Sequence, residues 1–504
     1  MHLIIGRRLS LLAIAVLLAS VAVVSSAGAM PPRKITVKRT AMEAPPAPGT
    51  PTSVKIEQLG RIDLNKVGII KVAANREEAK NVLVLEPGTS AAAAYFVPLA
   101  KSLVEATKGW QVWAVERREN FLENQGELTK YKFGRLTTME NPISKAPETP
   151  SEQVFNYYLG HLANPNIAKQ YIPVPQTQVA FAKEWGMSVA VEDLKVVIGA
   201  AKALGGKVVL GGHSLGGSVV TAYATWDFEG KPGAEGLSGL VYDDGGSSPV
   251  AVSEEEAKKS LEKLDEPNET PWLAFGGIPA PDLGLFSILG SALTVGEPKG
   301  PSQLEKFLFL PSDLRSPIAP VTNEAGFGYS VNVGTSPTSL AAAQIHGGLG
   351  VEETAEADGL HGWNGEGALT PVRRYAEMLA GTGLHDASGS EWYFPARLTL
   401  DTGAVGNGLE NPAQKVLGLH STMGDDLPTS LHILAIDSEL DKLFGGGGTT
   451  LNEAEALAAQ SGIPQSNLTL IEEQNTYAHN DPAGATPSNN EFFKKLVPFL
   501  EELG

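Results

Sequence analysis

The run Gly212-His213-Ser214-Leu215-Gly216-Gly217 places a serine two positions from a glycine on either side. On a tight strand-to-helix turn a serine hydroxyl is exposed as a nucleophile, and the turn packs so closely that its neighbours must lack bulk; Gly212 and Gly216 meet that need. An apolar run, Lys207 to Leu210, precedes the motif and a small apolar helix, Ser218 to Thr225, follows it. A hydroxyl is a poor nucleophile without a base, and the base must be oriented by an acid. His346, His361, His385 and His420 fall in long irregular stretches, and His432 opens an apolar strand and reads as structural. His479 differs. It sits in Thr476-Tyr477-Ala478-His479-Asn480-Asp481-Pro482, after the last predicted strand and before the final helix. A loop there shares the carboxyl edge of a parallel sheet with Ser214. Carboxylates occupy two turns: Asp437, Glu439 and Asp441 after one strand, and Asp243 with Asp244, less favoured, after the strand before it. Developing negative charge would be held by backbone N–H groups, that of Leu215 directly after the serine and that of Thr89 behind Pro87-Gly88.

The elements that must carry these residues are legible as apolar runs. Val54 to Leu59, Gly68 to Ala73, Val82 to Leu85, Trp110 to Val115, Lys207 to Leu210, Leu237 to Tyr242, Leu431 to Ile436 and Leu468 to Glu472 read as strands. Between several of them run helical patterns, such as Ala92 to Ala106, Leu194 to Leu204, Leu451 to Ala459 and Leu496 to Leu503. Continuously apolar strands separated by helices predict an α/β protein, with a mostly parallel central sheet covered on both faces. Two stretches break the rhythm: residues 121–184, rich in Tyr and Phe, and residues 251–420, far longer than an ordinary crossover. The second contains an apolar, Gly- and Pro-broken segment, Trp272 to Val295, and is expected to form a self-contained cap or lid.

Composition narrows the remaining classes. With 39 basic and 57 acidic residues the 504-residue chain carries a formal charge of −18, which gives no electrostatic drive toward nucleic acid. There is no cysteine, which excludes disulfides, thiolate metal sites and thiol nucleophiles. No dinucleotide fingerprint or metal cluster is present, and the Gly445–Gly448 run lacks the Lys-Ser/Thr of a phosphate loop, so neither cofactor nor metal is expected. At the N-terminus, Arg7-Arg8, the 16-residue apolar run Leu9 to Val24 and the small residues Ala27-Gly28-Ala29 predict an export signal over residues 1–29. The run is shorter than the roughly 20 residues that span a bilayer. Cleavage would leave a secreted, periplasmic or cell-surface protein without a stable membrane span. Residues 30–53 read as a Pro-rich linker. The core then divides into 54–250, carrying the 121–184 insertion, the 251–420 cap, and 421–504. No motif sets an oligomeric state.

Taken together, the Gly212–Gly216 elbow, the Pro87-Gly88-Thr89 loop, the acidic turn at 437–441 and His479 make the chain resemble the α/β-hydrolase superfamily over about 54–250 and 421–504. The chain departs from the family pattern in two places: Pro87 stands where many members have His, and Ser438 where the acid turn has Gly. The resemblance implies acyl transfer to water through a covalent acyl-serine, with Ser214 as nucleophile, His479 as base and Leu215 and Thr89 as oxyanion donors. It places the acid after the penultimate strand and so favours Asp441, with Glu439 and Asp437 as alternatives. The substrate class it implies is a small-molecule or lipid-like carboxylic ester, weakly weighted to an apolar acyl group. A peptidase or amidase, or a non-catalytic binding protein on the same fold, is the alternative.

Overall fold

Eight runs of aliphatic and β-branched residues pair into one sheet in the computed structural model. It describes residues 34–504 apart from 76–77, 142–143, 249, 276–277, 307–314, 337, 356–358 and 444–448. The strands are β1 (Ile35–Glu43), β2 (Lys66–Ala74), β3 (Asn81–Glu86), β4 (Trp110–Glu116), β5 (Val208–His213), β6 (Gly239–Asp243), β7 (His432–Asp437) and β8 (Leu468–Glu472). Their order across the sheet is β1-β2-β4-β3-β5-β6-β7-β8. β1 and β2 run antiparallel to their neighbours and the remaining pairings are parallel. This is the α/β-hydrolase architecture. The expected export signal and the Gly445–Gly448 run lie outside the described residues. No described helix is long and apolar enough to cross a membrane.

Period-2 alternation sends successive residues of β3 to opposite faces. Val82 and Val84 join one apolar cluster with α2 (Met187–Lys202) and α3 (Leu215–Ala224), where Leu194, Val197, Val219 and Val220 are fully buried. Leu83 and Leu85 join the opposite cluster, built by α1 (Val97–Ala106) and the C-terminal helix Glu491–Leu503 through Leu99, Leu103, Phe492 and Leu496. Each of these side chains stabilises the fold by about 1.5–3 kcal/mol relative to exposure, so the sheet is a rigid platform for the loops at its carboxyl edge.

Three expectations need correction. Residues 35–43, read as linker, form β1 in a nine-residue antiparallel register from Ile35 opposite Ala74 to Glu43 opposite Lys66. Its solvent-facing Lys38 and Thr40 gave it a polar composition, yet alternate residues pack on the sheet. The Val54–Leu59 strand shortens to 53–56 and pairs outside the main sheet with Gly60–Asp63. The 251–420 insertion is not self-contained. Leu398, Val405 and Leu417 complete one face of the sheet, while Phe327, Tyr375 and Met378 complete the other. Only a third portion, including Trp272, Leu285, Ile288, Leu289 and Trp392, forms a separate cluster, and it does so jointly with the 121–184 insertion through Leu122, Phe155, Tyr158 and Tyr171. Tyr171 and Tyr393 hydroxyls meet across that joint at 3.0 Å. The two insertions share one apolar cluster, in which many of the side chains expected of a lid are buried.

Candidate functional site

Ser214 stands between β5 and α3 with φ 55° and ψ −127°, a conformation a non-glycine residue holds only when its surroundings impose it. What imposes it is a backbone lattice on both sides. The Ser214 N–H donates to the Asp243 carbonyl at 3.1 Å, and Ser214 O accepts from Gly217 N–H at 2.8 Å. A side chain at 212 would run into the backbone of Gly216, so the elbow closes only because both positions are glycine. The hydroxyl projects at the amino end of α3, whose first turn carries no acidic side chain to oppose negative charge.

His479 lies on the loop after β8, buried, and its Nδ1 is hydrogen-bonded to Oδ2 of Asp244. Its carbonyl accepts from Nε2 of His213, the residue before the nucleophile, at 3.0 Å, and the two rings are 4.5 Å apart between centroids. That bond puts the His213 ring proton on Nε2. Tyr95 ties the same elements together: its hydroxyl lies 3.3 Å from His213 Nε2 and donates to Asn480 Oδ1 at 2.9 Å. Neither Ser214 Oγ nor His479 Nε2 has a hydrogen-bond partner among the described residues. The two atoms that a proton relay must connect are therefore uncommitted, and in enzymes without substrate such bonds are often formed only in the complex.

The carboxylate bonded to the histidine is none of the three favoured from the sequence, but Asp244 of the less favoured turn. Asp441 Oδ2 accepts the Thr450 N–H at 3.2 Å; its charge reaches His479 through space, but its carboxylate is not the one bonded to Nδ1. Asp437 is turned to the other side and takes the Glu473 N–H at 2.9 Å together with the Gln474 amide. Glu439 contributes its N–H to the Tyr477 carbonyl at 2.9 Å and leads a short helix. Asp244, directly after β6, holds His479 instead. Its own φ of 47° swings the carboxylate out of the strand line, its N–H is anchored on the Ile436 carbonyl at 3.0 Å, and the Ser438 hydroxyl donates to the same Oδ2. Ser438 is the residue expected to stand in for a turn glycine; here it braces the acid.

Burial governs the electrostatics. It pushes the His479 imidazole down to about 4 and so keeps it neutral, able to accept a proton. Burial likewise raises Asp244 to about 6, a rise limited by the Ser438 hydrogen bond. Asp243, whose carboxylate oxygens are buried without partners, is raised well above the ordinary range by burial, with the neighbouring Asp244 adding to the rise. A base–acid pair works with a neutral imidazole over an ionised carboxylate, so protonation would switch such a pair off. We expect kcat/KM to be flat above about pH 7 and to fall as pH drops through about 6, one proton being taken up by the pair as a unit. Ser438→Ala removes a bond that holds Asp244 down, so the acid limb should move to higher pH; a limb that stays put or moves lower in a pH–rate profile counts against this assignment.

The loop after β3 supplies the rest of the site. A Cβ at Gly88 would lie 2.8 Å from Ser214 Cβ and 2.9 Å from the His213 carbonyl, so this loop crosses directly against Ser214 and only glycine fits there. Among the described residues, no protein acceptor faces the N–H of Thr89 or that of Leu215. No group of three or more His, Cys, Asp or Glu side chains among the described residues is arranged to hold a metal ion.

Neither protein-family models nor curated protein sequences give a match to this chain. Among solved structures it is similar to a candidate lipase of Sulfolobus solfataricus, at 13% identity and TM-score 0.43, covering 93% of this chain and 95% of that one. A soluble variant of the Saccharomyces cerevisiae monoglyceride lipase is similar at 12% identity and TM-score 0.35, covering 91% and 99%. The carboxyl esterase of Bacillus coagulans is similar at 11% identity and TM-score 0.36, covering 93% and 99%. Likeness at this distance carries no information on substrate or mechanism. The class defined by the strand order and the Ser214 elbow themselves is the α/β-hydrolase fold.

Proposed function

We propose that the chain is a serine hydrolase that cleaves carboxylic esters through an acyl-enzyme. The observation that carries this reading is the buried His479–Asp244 pair packed against the strained Ser214 elbow, with Ser214 Oγ and His479 Nε2 both left uncommitted. In the first half-reaction Ser214 Oγ attacks the ester carbonyl carbon while its proton passes to His479 Nε2. The imidazolium that forms is stabilised by ionised Asp244, and the tetrahedral oxyanion is held by the Leu215 and Thr89 N–H groups. Collapse breaks the bond to the alcohol oxygen, which takes the proton from His479. Water then attacks the acyl-serine along the same path, releasing the acid and restoring Ser214.

The substrate class follows from site chemistry more than from the cap. A neutral backbone-donor oxyanion site and a net-negative chain favour an uncharged ester over an anionic one. The apolar character of the Trp272–Val295 segment of the insertion is the ground for an apolar acyl group. A panel of p-nitrophenyl esters of increasing chain length, run beside peptide and amide substrates, tests this. Turnover of medium-chain esters above acetyl esters is expected; amide cleavage at comparable rates would replace the ester reading with a peptidase or amidase. Export through residues 1–29 belongs to the same proposal. The expected readout is a secreted protein whose N-terminal residue is Met30, and secreted chains that retain residues 1–29 would refute it.

A further inference from the structure

A single guanidinium gathers the loop that crosses Ser214. Arg117, the residue after β4, is buried, and Nη1 donates to the Pro87 carbonyl at 2.8 Å while Nη2 donates to the carbonyls of Gly88 at 3.0 Å and Ala91 at 2.8 Å. Another carbonyl of that turn, Ser90 O, is taken by the Glu391 N–H at 2.9 Å. The peptide unit is planar and trans, so a C=O and the N–H of the next residue point in opposite directions. Fixing Pro87 O and Gly88 O on Arg117 therefore turns the N–H groups of Gly88 and Thr89 away from it. The loop's other side faces the nucleophile, as the 2.8 Å approach of a Gly88 Cβ to Ser214 Cβ shows. Two successive N–H groups on one side form an anion-binding concavity.

We propose that Arg117 is a positioning residue that sets this oxyanion loop, holding the Gly88 and Thr89 N–H groups toward Ser214. Its place is itself fixed. Glu86 Oε1 accepts from Nη1 at 2.9 Å, Glu391 Oε2 accepts from Nη2 at 2.7 Å, and Glu119 Oε1 lies 3.2 Å from Nε. Glu86 ends β3 and Glu391 belongs to the 251–420 insertion, so the insertion takes part in shaping the oxyanion site through Arg117. Lysine cannot replace this fork, because one ammonium cannot reach three carbonyls and two carboxylates from a planar array.

The inference rests on the serine-hydrolase reading, and the experiment separates the two. A boronic acid that adds to Ser214 Oγ as a tetrahedral anion reports the oxyanion site, and a good ester reports turnover. In Arg117→Lys, kcat should fall by about 10–100-fold, short of the loss from deleting a donor outright. KM should stay nearly constant, boronate affinity should drop in parallel with kcat, and the acid limb of the pH profile should not move, because the His479–Asp244 pair is untouched. Should Arg117→Lys not fold, Glu391→Gln keeps the carbonyl bonds while loosening the guanidinium, and a smaller parallel loss in kcat and boronate affinity is expected. Unchanged boronate affinity in the folded variant, or a loss carried by KM alone, overturns the role of Arg117 while leaving the hydrolase reading intact. A wild-type protein that neither turns over esters nor binds the boronate overturns both.

Discussion

Ser214→Ala is expected to remove ester hydrolysis almost entirely, lowering kcat by about 10⁶-fold, and His479→Ala should do the same. The first removes the attacking oxygen. The second removes the base proposed for that proton, and the neighbouring His213 already spends its Nε2 on the His479 carbonyl. Burial holds His213 down to about 3, but its free Nδ1 is enclosed beside Gly88 rather than presented to substrate. The decisive comparison is the double variant. Residues of one relay fail together, so Ser214→Ala with His479→Ala should be little slower than either alone, with the residue of catalysis left to the oxyanion donors. Losses that multiply would mean that the two side chains act independently, and the acyl-enzyme reading would fall. Full activity in Ser214→Ala would remove it outright.

What the sequence disclosed, and what it hid, divides along physical lines. β3 to β7 are largely apolar, almost wholly buried runs because both faces of the sheet are covered, and such runs are visible without any structure. The elbow is visible for a related reason: the close approach at Gly212 forbids any other residue, so the constraint is written in residue type. β1 was hidden because an edge strand with one open face reads as polar. The insertion was hidden more thoroughly. Nothing in Phe327 or Leu398 says that it will pack on the sheet rather than in a cap, since apolar character carries no address. Arg117 was missed because an arginine that binds carbonyls looks like any other arginine. The carboxylate that meets His479 is hard to pick out for the same reason. Asp, Glu and a turn fit several positions, and which one meets Nδ1 depends on a φ of 47° at Asp244 that sequence does not express. Signals did exist in retrospect. Asp244 is followed by Gly245, whose Cβ would collide with the Ser214 carbonyl, so the turn after β6 is pressed against the elbow. A serine, Ser438, also stands in the later turn, where the resemblance led one to expect a glycine.

The acid therefore has its own test, with Asp244→Asn expected to lower kcat by about 10⁴-fold while Asp441→Asn costs little activity. The reasoning turns on one proton. In the native pair Asp244 Oδ2 accepts from Nδ1–H, which leaves Nε2 as the lone-pair nitrogen. An amide at 244 either keeps its oxygen on the Ser438 hydroxyl and on Nδ1–H, or turns its N–H toward the imidazole with the Ser438 hydroxyl reoriented to accept. In the second arrangement Nδ1 must accept, the ring proton moves to Nε2, and the base has no lone pair to offer Ser214. In the first the tautomer survives but the imidazolium formed in the transition state has lost its counter-charge in a fully buried setting, where that charge is worth most. Either way the loss falls on kcat, with little change in KM and a fold as stable as before. Asp441→Asn removes a charge that reaches His479 only through space, and an amide oxygen can still accept the Thr450 N–H at 3.2 Å. If the two variants exchange roles, with Asp441→Asn crippled and Asp244→Asn nearly normal, the acid belongs to the turn after β7 and the His479–Asp244 contact is structural.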